Sequence, residues 1–369
     1  MSDLVNKINQ FQFMLLISLF TVGNSILLLP ELLYRTAYHD SWLAIIIGIG
    51  ASLLINMLLL KLSQFYPDLT WVEISEKLLG KWFGGLVSVF MLFYLLYGVT
   101  VLLFLSGQFI NIEIMPETPL VAFSITMAVI MVFGVRLGLV TLGRAAEIFF
   151  MLVTLLFILL LALLVPQMEL TNIKPVLETP IKNIIHASFV YFSISGGPLV
   201  CFLMILPNTL RPNFKSFQLG SLIGGLFIFL TTLTCILVLG PNMQFETYPS
   251  YSIAKKVNVE DFITRIELIF AVIWFVTIYY KLALYFYATI KGFSDLFKLS
   301  KFTSISLPIA IIAVVLSTVI FPDTAYESMW LLTIYPFYSF TAGVILPILL
   351  LCAHFIKAVV SKLMVKESR

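Results

Sequence analysis

Charge is what this chain has least of. Only 11% of its 369 residues are Asp, Glu, Lys or Arg, against 60% hydrophobic. No soluble core needs that much apolar surface, and a mean hydropathy of +1.06 marks a polytopic membrane protein. Cysteine is scarce too: Cys201, Cys235 and Cys352 are scattered thiols, neither a disulfide frame nor a metal site. His39, His186 and His354 are equally dispersed, and no G-x-S-x-G or phosphate-binding glycine loop occurs. No activated nucleophile or paired acid and base appears, so neither an enzyme nor a bound cofactor or metal is expected. Carboxylates avoid the apolar runs: all nineteen Asp and Glu fall in loops or near span ends, with Glu31, Glu147 and Glu267 closest to membrane depth. A proton-driven pump usually places a carboxylate in its pathway, so a carboxylate-driven mechanism is disfavoured.

Long apolar runs are plentiful. Runs of about 20 residues predict ten transmembrane helices, at 10–34, 42–64, 83–110, 118–135, 144–166, 185–208, 217–240, 262–293, 304–321 and 336–357. The apolar N-terminal stretch is too long for a cleaved signal and lacks a small-residue cleavage site, so it reads as span 1. With a cytoplasmic N-terminus, fifteen Lys and Arg fall in inner segments and six in outer ones. The positive-inside rule therefore places both termini in the cytoplasm. That bias accounts for the net charge of +3 without a nucleic-acid partner. Between spans 2 and 3, Thr70 and Glu73 form a capping box, and Trp71, Ile74, Leu78 and Trp82 form a helical stripe. A short helix in the cytoplasmic interface is expected there. The outer loop 241–261 reads as exposed and long enough to fold locally.

Two spans are interrupted at matching depth. Span 1 carries Gly23, Asn24 and Ser25 about 13 residues in, roughly 20 Å along a helix. Span 6 reads "FVYFSISGGPLVCFL", placing Ser193, Ser195, Gly196, Gly197 and Pro198 where lipid would favour Leu. An unpaired backbone group in hydrocarbon costs several kcal/mol, so breaks survive only inside protein or along a polar cavity. Two breaks five spans apart match a five-plus-five inverted repeat, approximately 10–166 and 185–357, within one transmembrane domain 1–369. The fold class expected is all-α, with a leucine-transporter-like inverted repeat. Helix ends at the gap suit a carboxylate on one side and an ammonium on the other, hence a zwitterion such as an amino acid. The alternative is that the glycines merely permit close helix packing.

Two further positions stand out. Tyr94, with Tyr97 one turn on, lies near mid-depth of span 3, either lining the cavity or bonding a neighbouring helix. Lys281 is the one basic residue clearly inside a span, with Thr277 one turn before it. An intramembrane charge is by default a functional hypothesis, here a tethered cation in place of a coupling sodium ion; the alternative is snorkelling.

In order along the chain, "VGNSILLLP", "LGKW", "NIKPVLE", "TYPSYSIAK", "FITRIELIFAVIW" and "IFPD" resemble the B subunit of bacterial spore germinant receptors. That family is a branch of the amino acid–polyamine–organocation superfamily with the leucine-transporter fold. The resemblance spans nearly the whole length. It implies a subunit in the spore inner membrane that senses a small nutrient, often an amino acid, beside an A subunit and a lipoprotein C subunit. It also implies a pocket between the span 1 and span 6 breaks, walled by spans 3, 8 and 10. On this chain that means Gly23, Asn24, Ser25, Ser195, Gly196 and Gly197, with Tyr94, Thr277 and Lys281. The chain departs at the first break, where many members read G-A-G, and at Pro198-Leu199, where some carry an acidic residue; nutrient identity does not carry over. An amino-acid permease is the second reading, and a pore formed by the broken helices a third.

Overall fold

The computed structural model describes residues 7–210, 213–257 and 266–367, with side chains as far as 360. Among them the chain is helical throughout. Span 1 is two helices, α1 (Gln10–Val22) and α2 (Ser25–Ala37), followed by α3 (Ser41–Phe65) and the long α4 (Trp71–Glu113). Then come α5 (Leu120–Arg136), α6 (Leu139–Leu164), α7 (Ile181–Tyr191) and α8 (Phe214–Leu239). The second half closes with α9 (Pro249–Lys256), α10 (Glu267–Leu296), α11 (Ser306–Ser317), α12 (Thr324–Thr333), α13 (Tyr335–Phe340) and α14 (Leu346–Glu367). Among the described residues seven helical stretches are long and apolar enough to cross a bilayer, and three shorter apolar helices accompany them. All ten expected spans thus have a helical counterpart, except that 262–265 at the start of span 8 lies outside the described residues.

The packing carries the signature of exchanged halves. Span 1 lies along span 7 (α1 on α8), and span 6 along span 2 (α7 on α3). Adding five to each number of the first pair gives the second, counting round from ten. Spans 3 and 8 (α4 on α10) and spans 4 and 9 (α5 on α11) pair with their own counterparts. Spans 1, 3, 6 and 8 form the buried centre, where Phe20, Tyr94, Phe202 and Tyr285 are all at most 2% exposed. Leucines of α6 and the isoleucines Ile311 and Ile312 of α11 stay exposed, as lipid-facing helices require. A recess of about 540 Å³ between α5 and α11 has this apolar, lipid-facing character and no convergent polar groups beyond Arg136.

Two local expectations need correction. The capping box of Thr70 and Glu73 forms, but the chain kinks at Gly80 (φ 81°), so Trp82 leaves the stripe and is 89% exposed. Trp71, Ile74 and Leu78 are buried against protein: Thr70 donates to Asp295, and Lys357 to the Lys77 carbonyl. The expected short helix thus forms ahead of the Gly80 kink, and it is docked on the rest of the protein. The 241–257 part of the outer loop folds locally, as a 3-10 turn and α9, and it is exposed only in part, with Phe245 outward and the start of α9 inward. Tyr248, Tyr251, Ile253 and Ala254 are buried on α10, α8 and α2, because its polar letters alternate with aromatic and small residues that face inward. The rest of that loop, 258–261, lies outside the described residues.

The ends of the bundle are distinct. Lys7 pairs with Asp68, and the 66–80 segment meets α14 through Lys357, so the N-terminus and the C-terminal helix share one end. At the opposite end Asp40 accepts the N–H groups of Leu177 (2.8 Å) and Thr179 (3.0 Å), pinning the loop before span 6 to the α2–α3 turn. Burial alone would raise the Asp40 pKa, but these two amides hold it below the usual carboxylate value.

Candidate functional site between the two irregular helices

Span 6 does not unwind; it changes helical register, and the sequence says why. The Gly197 N–H reaches back five residues to the Phe192 carbonyl, making a π-type turn over Phe192–Gly196, and 3-10 turns follow over Gly197–Met204. That diversion leaves the Ser193 carbonyl without its helical donor. Pro198 has no N–H, so the Ile194 carbonyl four residues back loses its donor as well. Both freed carbonyls are taken up by side chains: Ser339 donates to Ser193 O at 2.8 Å and Lys281 to Ile194 O at 2.8 Å. Span 1, by contrast, does break. Gly23 sits at φ 24°, ψ −122°, a conformation L residues rarely adopt, and α2 restarts at Asn24–Ser25.

Lys281 is the knot between the two spans. Its ammonium donates to Asn24 Oδ1 at 2.7 Å, to Ile194 O at 2.8 Å and more weakly to Ser25 Oγ at 3.4 Å. It also lies 5.3 Å from the centre of the Phe20 ring. Being 2% exposed, it does not snorkel. Among the described residues no carboxylate pairs with it. All its partners are neutral, so when it is protonated no opposite charge beside it compensates it. Thr277, one turn earlier, shares its hydroxyl between Trp274 O (3.0 Å) and Gly23 O (3.3 Å). Ser195 donates to Ser25 at 2.9 Å, a second strap between spans 6 and 1.

A small cavity opens beside this knot. Asn24, Tyr97, Ile194, Lys281, Tyr285 and Tyr335 are among its lining residues. Its volume is about 20 Å³, room for about one water molecule. Ligand pockets run to ~300 Å³ or more, so the cavity is closed to anything much larger than water. Gly98 keeps it narrow, since a Cβ there would lie 2.8 Å from the Tyr285 ring.

Of the ten residues expected at the site, Gly23, Asn24, Ser25, Ser195, Thr277 and Lys281 converge through the contacts above. Ser193 contributes its carbonyl, bonded to Ser339, while its hydroxyl turns back to Val190 O. Tyr94 bonds Ser339 at 3.0 Å and does not line the cavity. Gly196 and Gly197 face away from it: Cβ atoms there would meet Ser52 Oγ at 2.1 Å and Ser339 Oγ at 2.4 Å, so both admit close neighbours. Sequence reasoning missed Tyr285 and Tyr335 on the wall, and Glu327 above it. The available signal was spacing, for Tyr285 lies one turn after Lys281, and Glu327, Leu331 and Tyr335 recur every fourth residue.

A sequence model of the family described as spore germination protein matches residues 7–325. The chain belongs to the spore germination protein family. Spore germination protein KB of Bacillus subtilis (strain 168) is 28% identical over 320 residues, 85% of each chain. Spore germination protein YndE of the same organism is 24% identical over 301 residues, 79% of this chain and 82% of its own. Among solved structures, MHP1, a nucleobase-cation-symport-1 family transporter in a closed conformation with bromovinylhydantoin bound, is similar at a TM-score of 0.65. It is 12% identical, over 89% of this chain and 75% of its own. MhsT in complex with L-phenylalanine gives a TM-score of 0.62 at 14% identity, over 92% and 86%. At such identities these two establish the fold alone: this family member has the leucine-transporter-like architecture of a multi-pass membrane protein.

Proposed function

We propose that this chain is the nutrient-sensing membrane subunit of a spore germinant receptor. It binds a small molecule such as an amino acid at mid-depth between spans 1 and 6. It acts with a receptor A subunit and a lipoprotein C subunit in the spore inner membrane, with both termini cytoplasmic. The observation carrying this reading is the Lys281 knot: one buried ammonium, held only by neutral acceptors, ties the two irregular spans together beside a closed aromatic cavity. A ligand carboxylate supplies the anion that the knot lacks, and its arrival releases the strap between the spans. A ligand shifts populations only by its differential affinity for the two states, and exchanging neutral acceptors for an anion provides one. No Asp or Glu is among the residues lining the cavity itself, which favours sensing over proton-driven pumping.

Transport of the same solute is the second reading, favoured by the likeness of the fold to that of MHP1 and MhsT. Purified chain in proteoliposomes, offered labelled amino acids and nucleosides, separates the two. Saturable binding without accumulation under sodium and proton gradients supports the sensor. Gradient-dependent accumulation makes the chain a permease.

A further inference from the structure

Three elements that line the closed cavity each carry a polar group on the same face, further from the termini. On α2, Asn24 lines the cavity and Glu31 follows seven residues on; on α4, Val101 lines it and Gln108 follows seven on. On α12, Leu331 lines it and Glu327 stands one turn before. All three polar residues are buried: Glu31 is 5% exposed, Glu327 4% and Gln108 6%.

The charges at this level do not balance. Glu31 pairs with Arg35, and Glu113 with Lys255. Glu327 has no ion-pair partner among the described residues, and its Oε1 lacks any hydrogen-bond partner. Gln108, whose amide faces that carboxyl, likewise leaves its Oε1 unpaired. A buried carboxylate without a partner is costly, and either a proton or a cation relieves it. Around it stand Glu31 and Arg35 from α2, Tyr97, Gln108 and Glu113 from α4, and Tyr248 and Lys255 from the α9 segment.

We infer that Glu327, with Gln108 beside it, forms a cation subsite over the closed cavity that takes a protonated primary amine. An ammonium offers three donors, and the two unpaired Oε1 atoms are acceptors of the right kind. Tyr97 and Trp330, with ring centres 6.4 Å apart, supply aromatic faces beside the carboxyl. A hard divalent ion needs about six oxygen ligands, and the described residues hold no cluster of three or more metal-binding side chains. The subsite rests on the reading of the cavity as a ligand site. With the Lys281 amine at the floor and the Glu327 carboxyl above, it orients a zwitterion carboxylate-down.

Burial, reinforced by the Glu31 charge and opposed by the Gln108 amide, pushes the Glu327 carboxyl up to about 8. Protons therefore compete with the amine below that pH, and amine affinity rises as pH rises through it. The test uses full-length chain in nanodiscs, titrated with methylammonium chloride or sodium chloride at matched ionic strength. Tryptophan fluorescence is the readout, with Trp330→Phe identifying the reporter. Wild type should show a saturable methylammonium response about ten-fold or more tighter at pH 8.5 than at pH 6.5. Glu327→Gln should abolish it, and Gln108→Leu should weaken it several-fold. The subsite is overturned by no wild-type response, by an equal response to sodium, by pH independence, or by unchanged affinity in Glu327→Gln. Labelled-solute binding by Lys281→Met reports separately on the cavity. If Lys281→Met loses solute binding while Glu327→Gln keeps the methylammonium response, the subsite fails and the cavity reading stands; the reverse pattern sinks the cavity reading alone.

Discussion

Replacing Gly23 by alanine tests the knot at its tightest contact. Two costs arise, and a second substitution separates them. The first is backbone strain: at φ 24°, ψ −122° a Cβ costs roughly 1–2 kcal/mol wherever it points. The second is a collision, because the new Cβ would lie 2.4 Å from Lys281 Cδ and 2.9 Å from Lys281 Cβ. The lysine stem must swing aside, pulling its ammonium from Asn24 Oδ1 or Ile194 O. Each such charge-assisted bond contributes about 1.5–3 kcal/mol. Gly23→Ala should therefore destabilise by about 3–5 kcal/mol. In a Lys281→Ala background the stem is gone and only the Cβ contact remains, so the same change should cost about 1–2 kcal/mol. Reversible unfolding of all four proteins in mixed micelles gives the cycle. A coupling of about 1.5–3 kcal/mol is expected, and additivity within ~0.5 kcal/mol would refute the packing of Lys281 against Gly23.

Ser339→Ala should lower stability by about 1–3 kcal/mol, because it strands the freed Ser193 carbonyl and the Tyr94 hydroxyl together; thermal unfolding checks it. Pro198→Ala restores a backbone donor that competes with Lys281 for Ile194 O, and should weaken solute binding in proteoliposomes several-fold. Asp40 has a folded pKa below its unfolded value, so its contribution to stability is full above about pH 4 and is lost as pH falls through the folded value. Asp40→Asn should flatten that acid limb of a stability-versus-pH curve. An unchanged limb would show that the Leu177 and Thr179 bonds do not carry it.

The spans and both irregularities were legible because lipid enforces a simple rule: apolar everywhere, except where protein covers the backbone. Lys281 was legible for the same reason, as a charge with nowhere to go. The kinds of irregularity were not. Span 1 breaks while span 6 only changes register, and that depends on which acceptor the Gly197 N–H finds, a choice made by packing against Ser52 and Ser339. Nor did spacing separate Tyr94, tied to Ser339, from Tyr97 on the cavity wall one turn later. Glu327 was hidden by its address. In a loop between spans 9 and 10 an acidic residue reads as solvated, yet α12 tucks inward and leaves it 4% exposed.

The closed cavity sets an energetic bound on how the chain responds. At about 20 Å³ it admits no amino acid, so under the proposed function a ligand acts on an expanded form in which spans 1 and 6 have parted. Parting breaks the Lys281 bonds to Asn24 or Ile194 and the Ser195–Ser25 strap, and at about 1.5–3 kcal/mol for a charged bond and ~1 kcal/mol for a neutral one the closed form leads by several kcal/mol. Reversing a population from 1:99 to 99:1 takes about 5.5 kcal/mol of differential affinity, which is of the same order. An anion meeting the uncompensated Lys281 ammonium supplies much of that difference, because it replaces neutral acceptors with a full opposite charge in a dry site. A neutral solute filling the same space gains no such term. Under the proposed function the knot is thus both what holds the resting form shut and what makes the opening selective for a negatively charged group.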